Sequence, residues 1–299
     1  MTYELNKFQA ALSQRVMVLT GEPEIIAWQP LGSGVGGERW RVSGRTRHWF
    51  IKCAANSGGL FAAEADGLQA LGSCDAIRVP EVFECGELEG VDYIIMEWLS
   101  LGRTTRDTRA AAQLGSLLAR QHRHLGERFG WQRDNFIGAT RQVNTQSDNW
   151  IDFYREHRLG FQLQLAAQRG YRGELQRQGE RLLEKLDGFF TDYSPAPSLL
   201  HGDLWSGNWD VLETGEPVIF DPAVYYGDRE ADIAMTELFG GFPTEFYAAY
   251  DERYPRDSGY RVRRDLYNLY HVLNHLNLFG GGYLSQALRL TNTLLAALA

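Results

Sequence analysis

The stretch His201-Gly202-Asp203-Leu204-Trp205-Ser206-Gly207-Asn208, followed by Val218-Ile219-Phe220-Asp221, constrains this chain more than any other. It sets an Asp, an Asn five residues on, and a second Asp thirteen beyond that. Short apolar runs flank these groups at Leu199-Leu200, Val211-Leu212 and Val218 to Phe220, so each polar residue falls in a loop at a strand end. An Asp so placed can accept a proton from a hydroxyl. The Asn and the second Asp can offer hard oxygen ligands to Mg²⁺. That division of labour suits phosphoryl transfer, with Asp203 as base and Asn208 and Asp221 on the metal. A polar hairpin whose Gly, Asp and Asn only make turns is the competing reading. The full order of residues favours the catalytic one.

The N-terminal part supplies what a nucleotide would need. A helix is expected over residues 3–19, with Leu5, Phe8, Leu12, Val16 and Leu19 as its apolar stripe and Gly21-Glu22-Pro23 as its stop. A strand over residues 25–31 then runs into Gly32-Ser33-Gly34-Val35-Gly36-Gly37, and another strand follows over residues 38–42. A glycine-rich turn between antiparallel strands lets backbone N–H groups approach phosphates. A dinucleotide fold would need a helix directly after those glycines, and Arg39 to Val42 read as strand instead. The next strand, residues 48–53, carries Lys52. A helix over residues 60–71 carries Glu64, twelve residues later. A strand lysine and a helix glutamate in that order can form the ion pair that positions ATP phosphates. The apolar strand from Val91 to Leu99 breaks at Ser100, which suits a hinge where backbone groups of Met96, Glu97, Trp98 and Leu99 bind adenine.

Beyond residue 100 the pattern turns helical. Helices are expected over residues 104–125, 149–169, 174–190, 263–279 and 284–298, and another is expected to resume near Ala231. His122 on the first of these reads as a core residue with one hydrogen bond. Asp232 on the resumed helix could cap or orient the catalytic loop. His271 and His275 stand four apart, a metal-compatible spacing, but without a third ligand they read as core. The irregular stretch from Phe129 to Asn144 is rich in Gly, Asn and aromatic residues. With Asp134, Asn135 and Trp150 it is a candidate sugar-facing surface, since rings stack on sugars and amides bind hydroxyls. Trp205 is a further candidate platform for a sugar.

The bulk numbers restrict the partners. A net charge of −8 disfavours general affinity for nucleic acid or anionic membrane. The sequence shows no apolar run of the roughly 18 residues that a transmembrane helix needs, and no apolar signal segment is read near the start. Three cysteines without ligand spacing suggest reduced thiols, hence an expected cytoplasmic location. A monomer is expected.

Together these residues resemble the protein-kinase-like fold and, more narrowly, the fructosamine kinase (ketosamine-3-kinase) family. The resemblance covers most of the chain. It rests on HGDLWSGN from His201 to Asn208, Phe129-Gly130-Trp131 through Gly138, Asn149-Trp150 with Arg158-Leu159, Tyr226 to Met235, and Leu273 to Asn277. It implies an α+β, two-lobed architecture. Residues 1–98 would form a small nucleotide-binding lobe, with an antiparallel sheet and one key helix. Residues 99–299 would form a larger, mostly helical lobe. It also implies ATP and Mg²⁺ as cofactors, and phosphorylation of the 3-hydroxyl of a ketosamine, free or on a glycated protein lysine. Val35 stands where some relatives carry a cysteine that permits redox-linked dimers, so that regulation is not implied here. A kinase for another small alcohol, such as an aminoglycoside or choline, is the nearest enzyme alternative. An inactive nucleotide-binding module is the alternative of another class. An ordinary protein kinase is disfavoured, because only a short segment separates Asp221 from the next helix.

Overall fold

The chain forms two compact units in a computed structural model, Met1–Arg103 with Asp210–Asp221, and Thr104–Trp209 with Pro222–Ala299. The structure describes residues 2–34, 36–102 and 107–298, the side chains of residues 2–5 excepted.

The first unit is built on a five-stranded antiparallel sheet. Helix α1 (Thr2–Thr20) precedes β1 (Ile25–Gly34), β2 (Gly37–Gly44) and β3 (His48–Ala54). Helix α2 (Leu60–Ser73), β4 (Val82–Leu88) and β5 (Val91–Glu97) follow, and the strand order is β1-β2-β3-β5-β4. The period-two alternation of β3 explains its two roles. Trp49, Ile51 and Cys53 pack with Tyr93 and Ile95 of β5 against Phe8, Leu12 and Val16 of α1. Lys52 points to the other face, where α2 carries Glu64. The expected stripe of α1 holds for Phe8, Leu12 and Val16, but Leu19 is exposed and lies off it. The segment Asp210–Asp221 belongs to this unit through backbone bonds. Gly102 donates to the Val211 carbonyl at 2.7 Å and Ile219 to the Arg78 carbonyl at 3.0 Å.

The second unit is mostly helical. Its helices are α3 (Thr108–Gln121), α4 (Trp150–Tyr154), α5 (Phe161–Gln168), α6 (Glu174–Glu184), α7 (Glu230–Leu238), α8 (Thr244–Arg253), α9 (Tyr260–Phe279) and α10 (Leu284–Ala297). The helix expected over residues 149–169 forms as α4 and α5 joined by a π-helical turn, Arg155–Gly160. That turn carries Arg158, which is fully buried with its guanidinium 4.0 Å from the Tyr225 ring centroid. Asp107 caps α3 by accepting the Arg109 N–H; the earlier start expected for this helix falls partly on residues outside those described. Helix α8 was not expected from the sequence. Strand Ser198–Leu200, just before His201, pairs with Tyr225–Gly227.

Candidate active site

The glycine-rich turn is a hairpin between β1 and β2. Strand pairing runs further into the glycines than the sequence pattern suggested: Ser33 faces Glu38, and Gly34 faces Gly37. Val35, expected in the same phosphate loop, lies outside the described residues. Gly37 has a left-handed φ of 103°, and a Cβ there would sit 2.4 Å from the Cys53 carbonyl oxygen. Only glycine lets the hairpin lie this close to β3, one residue from Lys52.

Lys52 is the electrostatic centre of the first unit. Its Nζ lies 2.7 Å from Glu64 Oε1 and 2.7 Å from Asp221 Oδ1. Burial alone would push this ammonium down, but the two carboxylates outweigh it and hold the group well above its usual range. Burial pushes the Glu64 carboxyl up, and Lys52 pulls it back only in part. Asp221 has a left-handed backbone, φ 56°, unusual for a residue with a side chain, while its carboxylate keeps substantial exposure. Of the four residues expected at a hinge, Met96 and Glu97 are the last two of β5, and Trp98 and Leu99 follow it. Met96 is buried, and the Glu97 carboxylate is engaged by Arg78 at 2.5–2.6 Å. Trp98 lies beneath the Arg41 guanidinium, 4.7 Å from its ring centroid.

In the second unit the loop that carries Asp203 is held by a network that starts on α7. Asp232 Oδ2 accepts the His201 N–H at 2.7 Å, and Oδ1 accepts the Gly202 N–H at 2.8 Å. His122 Nε2 meets Oδ2 at 3.1 Å, and its Nδ1 meets the Tyr250 hydroxyl at 2.8 Å. Arg229 also donates to the Tyr250 oxygen, and because the Asp232 carboxylate can only accept, the imidazole Nε2–H faces Asp232. Burial would raise the Asp232 carboxyl, yet His122 and the loop amides hold it below its ordinary value. Asp232 thus orients the loop as expected. His122 makes two hydrogen bonds where the sequence suggested one. Tyr250 was missed because α8 was missed.

Gly202 has φ 82°, and a Cβ there would lie 2.0 Å from the Ala223 carbonyl oxygen, so the loop turns where only glycine fits. His201 is fully buried and its Nδ1 accepts the Asp203 N–H at 3.2 Å. Asn208 Nδ2 donates to the Asp203 carbonyl at 2.8 Å and to its Oδ2 at 3.2 Å. That bond fixes the Asp203 carboxylate and the direction of the Asn208 amide together. Trp205 is partly exposed and meets Phe239 edge-on.

The other candidate substrate residues are placed differently. Asn135 is buried; it donates to the Val224 carbonyl and accepts from Gln142 and Asn144. Trp150 is buried among aromatic rings with its indole N–H on Tyr267. Neither presents a surface to a sugar, and the amides of this loop instead support the segment after Asp221. Asp134 is ion-paired to Arg141 and accepts the Asn144 N–H, stabilising its own hairpin. Among the described residues no group of three or more His, Cys, Asp or Glu could hold a metal ion. An Mg²⁺ here would take its remaining ligands from phosphate oxygens and water, as this ion commonly does.

The model of the fructosamine kinase family matches residues 8–297. A Synechocystis protein named probable ketoamine kinase is 45% identical over 92% of this chain and 93% of its own length. The chloroplastic protein-ribulosamine 3-kinase of Oryza sativa subsp. japonica is 44% identical over 84% of this chain and 73% of its own. A crystal structure of a candidate fructosamine-3-kinase from Haemophilus somnus superimposes with a TM-score of 0.87 at 30% identity, covering 95% of this chain and 96% of that one. An aminoglycoside phosphotransferase at 16% identity and TM-score 0.64, covering 95% of this chain and 98% of its own, shares the kinase-like fold alone.

Proposed function

The chain belongs to the fructosamine kinase family and is an ATP-dependent phosphotransferase acting on ketosamines, and we propose that Asp203 takes the proton of the sugar 3-hydroxyl as that oxygen attacks the γ-phosphorus. Asn208 holds the Asp203 carboxylate in register for this task. His201 is not the base, because its ring is buried and its Nδ1 is occupied by the Asp203 N–H. Lys52, steadied by Glu64, would contact the α- and β-phosphates of ATP, and the glycine-rich hairpin from Gly32 to Gly36 would cover them. The Asn208 amide oxygen and the Asp221 carboxylate would hold Mg²⁺, a hard cation suited to such oxygen donors. Bound there, the ion would neutralise phosphate charge in the transition state. Trp205 offers its ring to the sugar.

The observation that carries phosphotransfer is Lys52, a buried lysine held between Glu64 and Asp221. A purely structural hairpin would have no use for that arrangement. The acceptor class rests on the family and on the relatives named for ketoamines and protein-borne ribulosamine. Both free ketosamines and those on protein lysines are proposed substrates. The test is ADP release with lysine-linked ribulose, lysine-linked fructose and an aminoglycoside, followed by NMR location of the new phosphate. Phosphate on the sugar O3 of a ketosamine is expected. Turnover of the aminoglycoside alone would contradict the reading.

A further inference from the structure

Three large aromatic side chains stay well exposed among the described residues: Trp205 at 39%, Phe239 at 43% and Phe279 at 59%. The other large exposed hydrophobic side chains are all aliphatic. The three aromatics belong to one continuous run of ring contacts within the second unit. Trp205 meets Phe239 with centroids 6.4 Å apart, and Phe239 meets His275 at 5.0 Å. His275 then meets Phe279 at 5.4 Å and Tyr283 at 5.2 Å. Isolated exposed apolar residues need no explanation, but a contiguous patch that starts in the catalytic loop does.

The composition of the run says what suits it. Aromatic faces attract cations and also pack against methylene chains. The one titratable group in the middle is biased towards its neutral form: burial pushes the His275 imidazole below its ordinary range, against the hydrogen bond from its Nδ1 to the His271 carbonyl at 2.8 Å. It therefore does not repel a positive ligand. The flanks are open, since a Cβ added at Gly240 or at Gly282 would meet no atom within 4 Å.

We propose that Phe239, His275, Phe279 and Tyr283 form the carrier site of the enzyme, which takes the methylene stem and protonated secondary amine of a lysine whose sugar is presented to Asp203. The proposal rests on the ketosamine kinase reading and deepens it. It commits to the lysine arm because the run is continuous with the catalytic loop through Trp205, and because ring faces without a competing positive charge fit an alkylammonium chain.

The test uses the full chain and two substrates with the same sugar, the ribulose adducts of a lysine-containing peptide and of methylamine. The readout is the ratio of kcat/KM for the peptide adduct to that for the methylamine adduct. Phe279→Ser is expected to lower this ratio about tenfold, through KM. Tyr283→Ser should act in the same direction, and Phe279→Tyr should restore the ratio. A ratio identical in the wild type and in both serine variants would overturn the carrier site while leaving the ketosamine reading intact. Turnover of neither adduct by the wild type would remove that reading and the carrier site with it. A concentration-dependent dimer abolished by Phe279→Ser would assign the patch to a second copy of the chain instead.

Discussion

The carboxylate of Asp232 receives the backbone N–H of Gly202 at 2.8 Å, one residue before Asp203. Its other oxygen receives the His201 N–H and faces His122 Nε2, so one buried carboxylate satisfies three donors. In Asp232→Asn one of the two oxygens becomes an NH₂ group facing a donor. The catalytic loop should shift while the nucleotide-binding unit is untouched. We expect kcat to fall by about a hundredfold with the KM for ATP within a few-fold of wild type, alongside a stability loss of roughly 1–3 kcal/mol from buried donors left unpaired. Steady-state kinetics and thermal melts check this. A fall in kcat no larger than the folded fraction seen in the melts would assign the loss to unfolding instead of the loop.

Lys52→Met separates structure from chemistry. It leaves Glu64 buried without its partner, which costs roughly 3–5 kcal/mol when one member of a buried pair is removed. Adding Glu64→Gln should recover most of that stability by removing the stranded charge. It should not recover phosphotransfer, because no ammonium remains for the phosphates. A double variant with near-normal turnover would show that Lys52 is only structural. The measurement is turnover at saturating ATP, with the melting temperature of each variant.

Trp205→Ala should raise the KM for the ketosamine more than the KM for ATP, since Trp205 follows Asp203 by two residues in the same loop of the second unit and its ring is partly exposed. Equal changes in both constants would end the idea that the ring meets the sugar.

His271 provides a pH test. Burial holds its imidazole at about 3, against an ordinary 6.5, so the folded protein leaves it neutral. The sign follows from linkage. Between those values the unfolded chain binds a proton that the folded chain does not, so stability is fully present above pH 6.5 and is lost as pH falls towards 3. The slope from this group is at most about 1.4 kcal/mol per pH unit. His271→Phe should flatten the acid limb of a melting-temperature profile. Near pH 7 it should cost little, because it also removes a buried Nδ1 that has no hydrogen-bond partner in the described structure. An unchanged acid limb would remove His271 as a contributor.

Much of this was legible in the sequence because it is written in local patterns. The alternation of β3 puts Trp49, Ile51 and Cys53 on one face and Lys52 on the other, and spacing alone then brings Glu64 into range. The catalytic motif declares its turn through Gly202. What was not legible depends on partners far along the chain. Asn135 and Trp150 look like sugar-binding residues until Val224 and Tyr267, about ninety and more residues away, take their polar atoms. Helix α8 contributes Tyr250 to the loop network, yet only Phe246 and Tyr250 of its ten residues are buried, too weak a stripe to announce a helix. The exposed ring contacts from Trp205 to Tyr283 join four separate segments, and no periodicity records them.

The most direct test of the account is single-turnover phosphotransfer by Asp203→Asn with lysine-linked ribulose and ATP. The amide keeps the hydrogen-bonding shape of the carboxylate but cannot accept the hydroxyl proton. The account predicts ATP affinity close to wild type and a rate of phosphotransfer lower by roughly a hundredfold or more. A near-normal rate in that variant would contradict it.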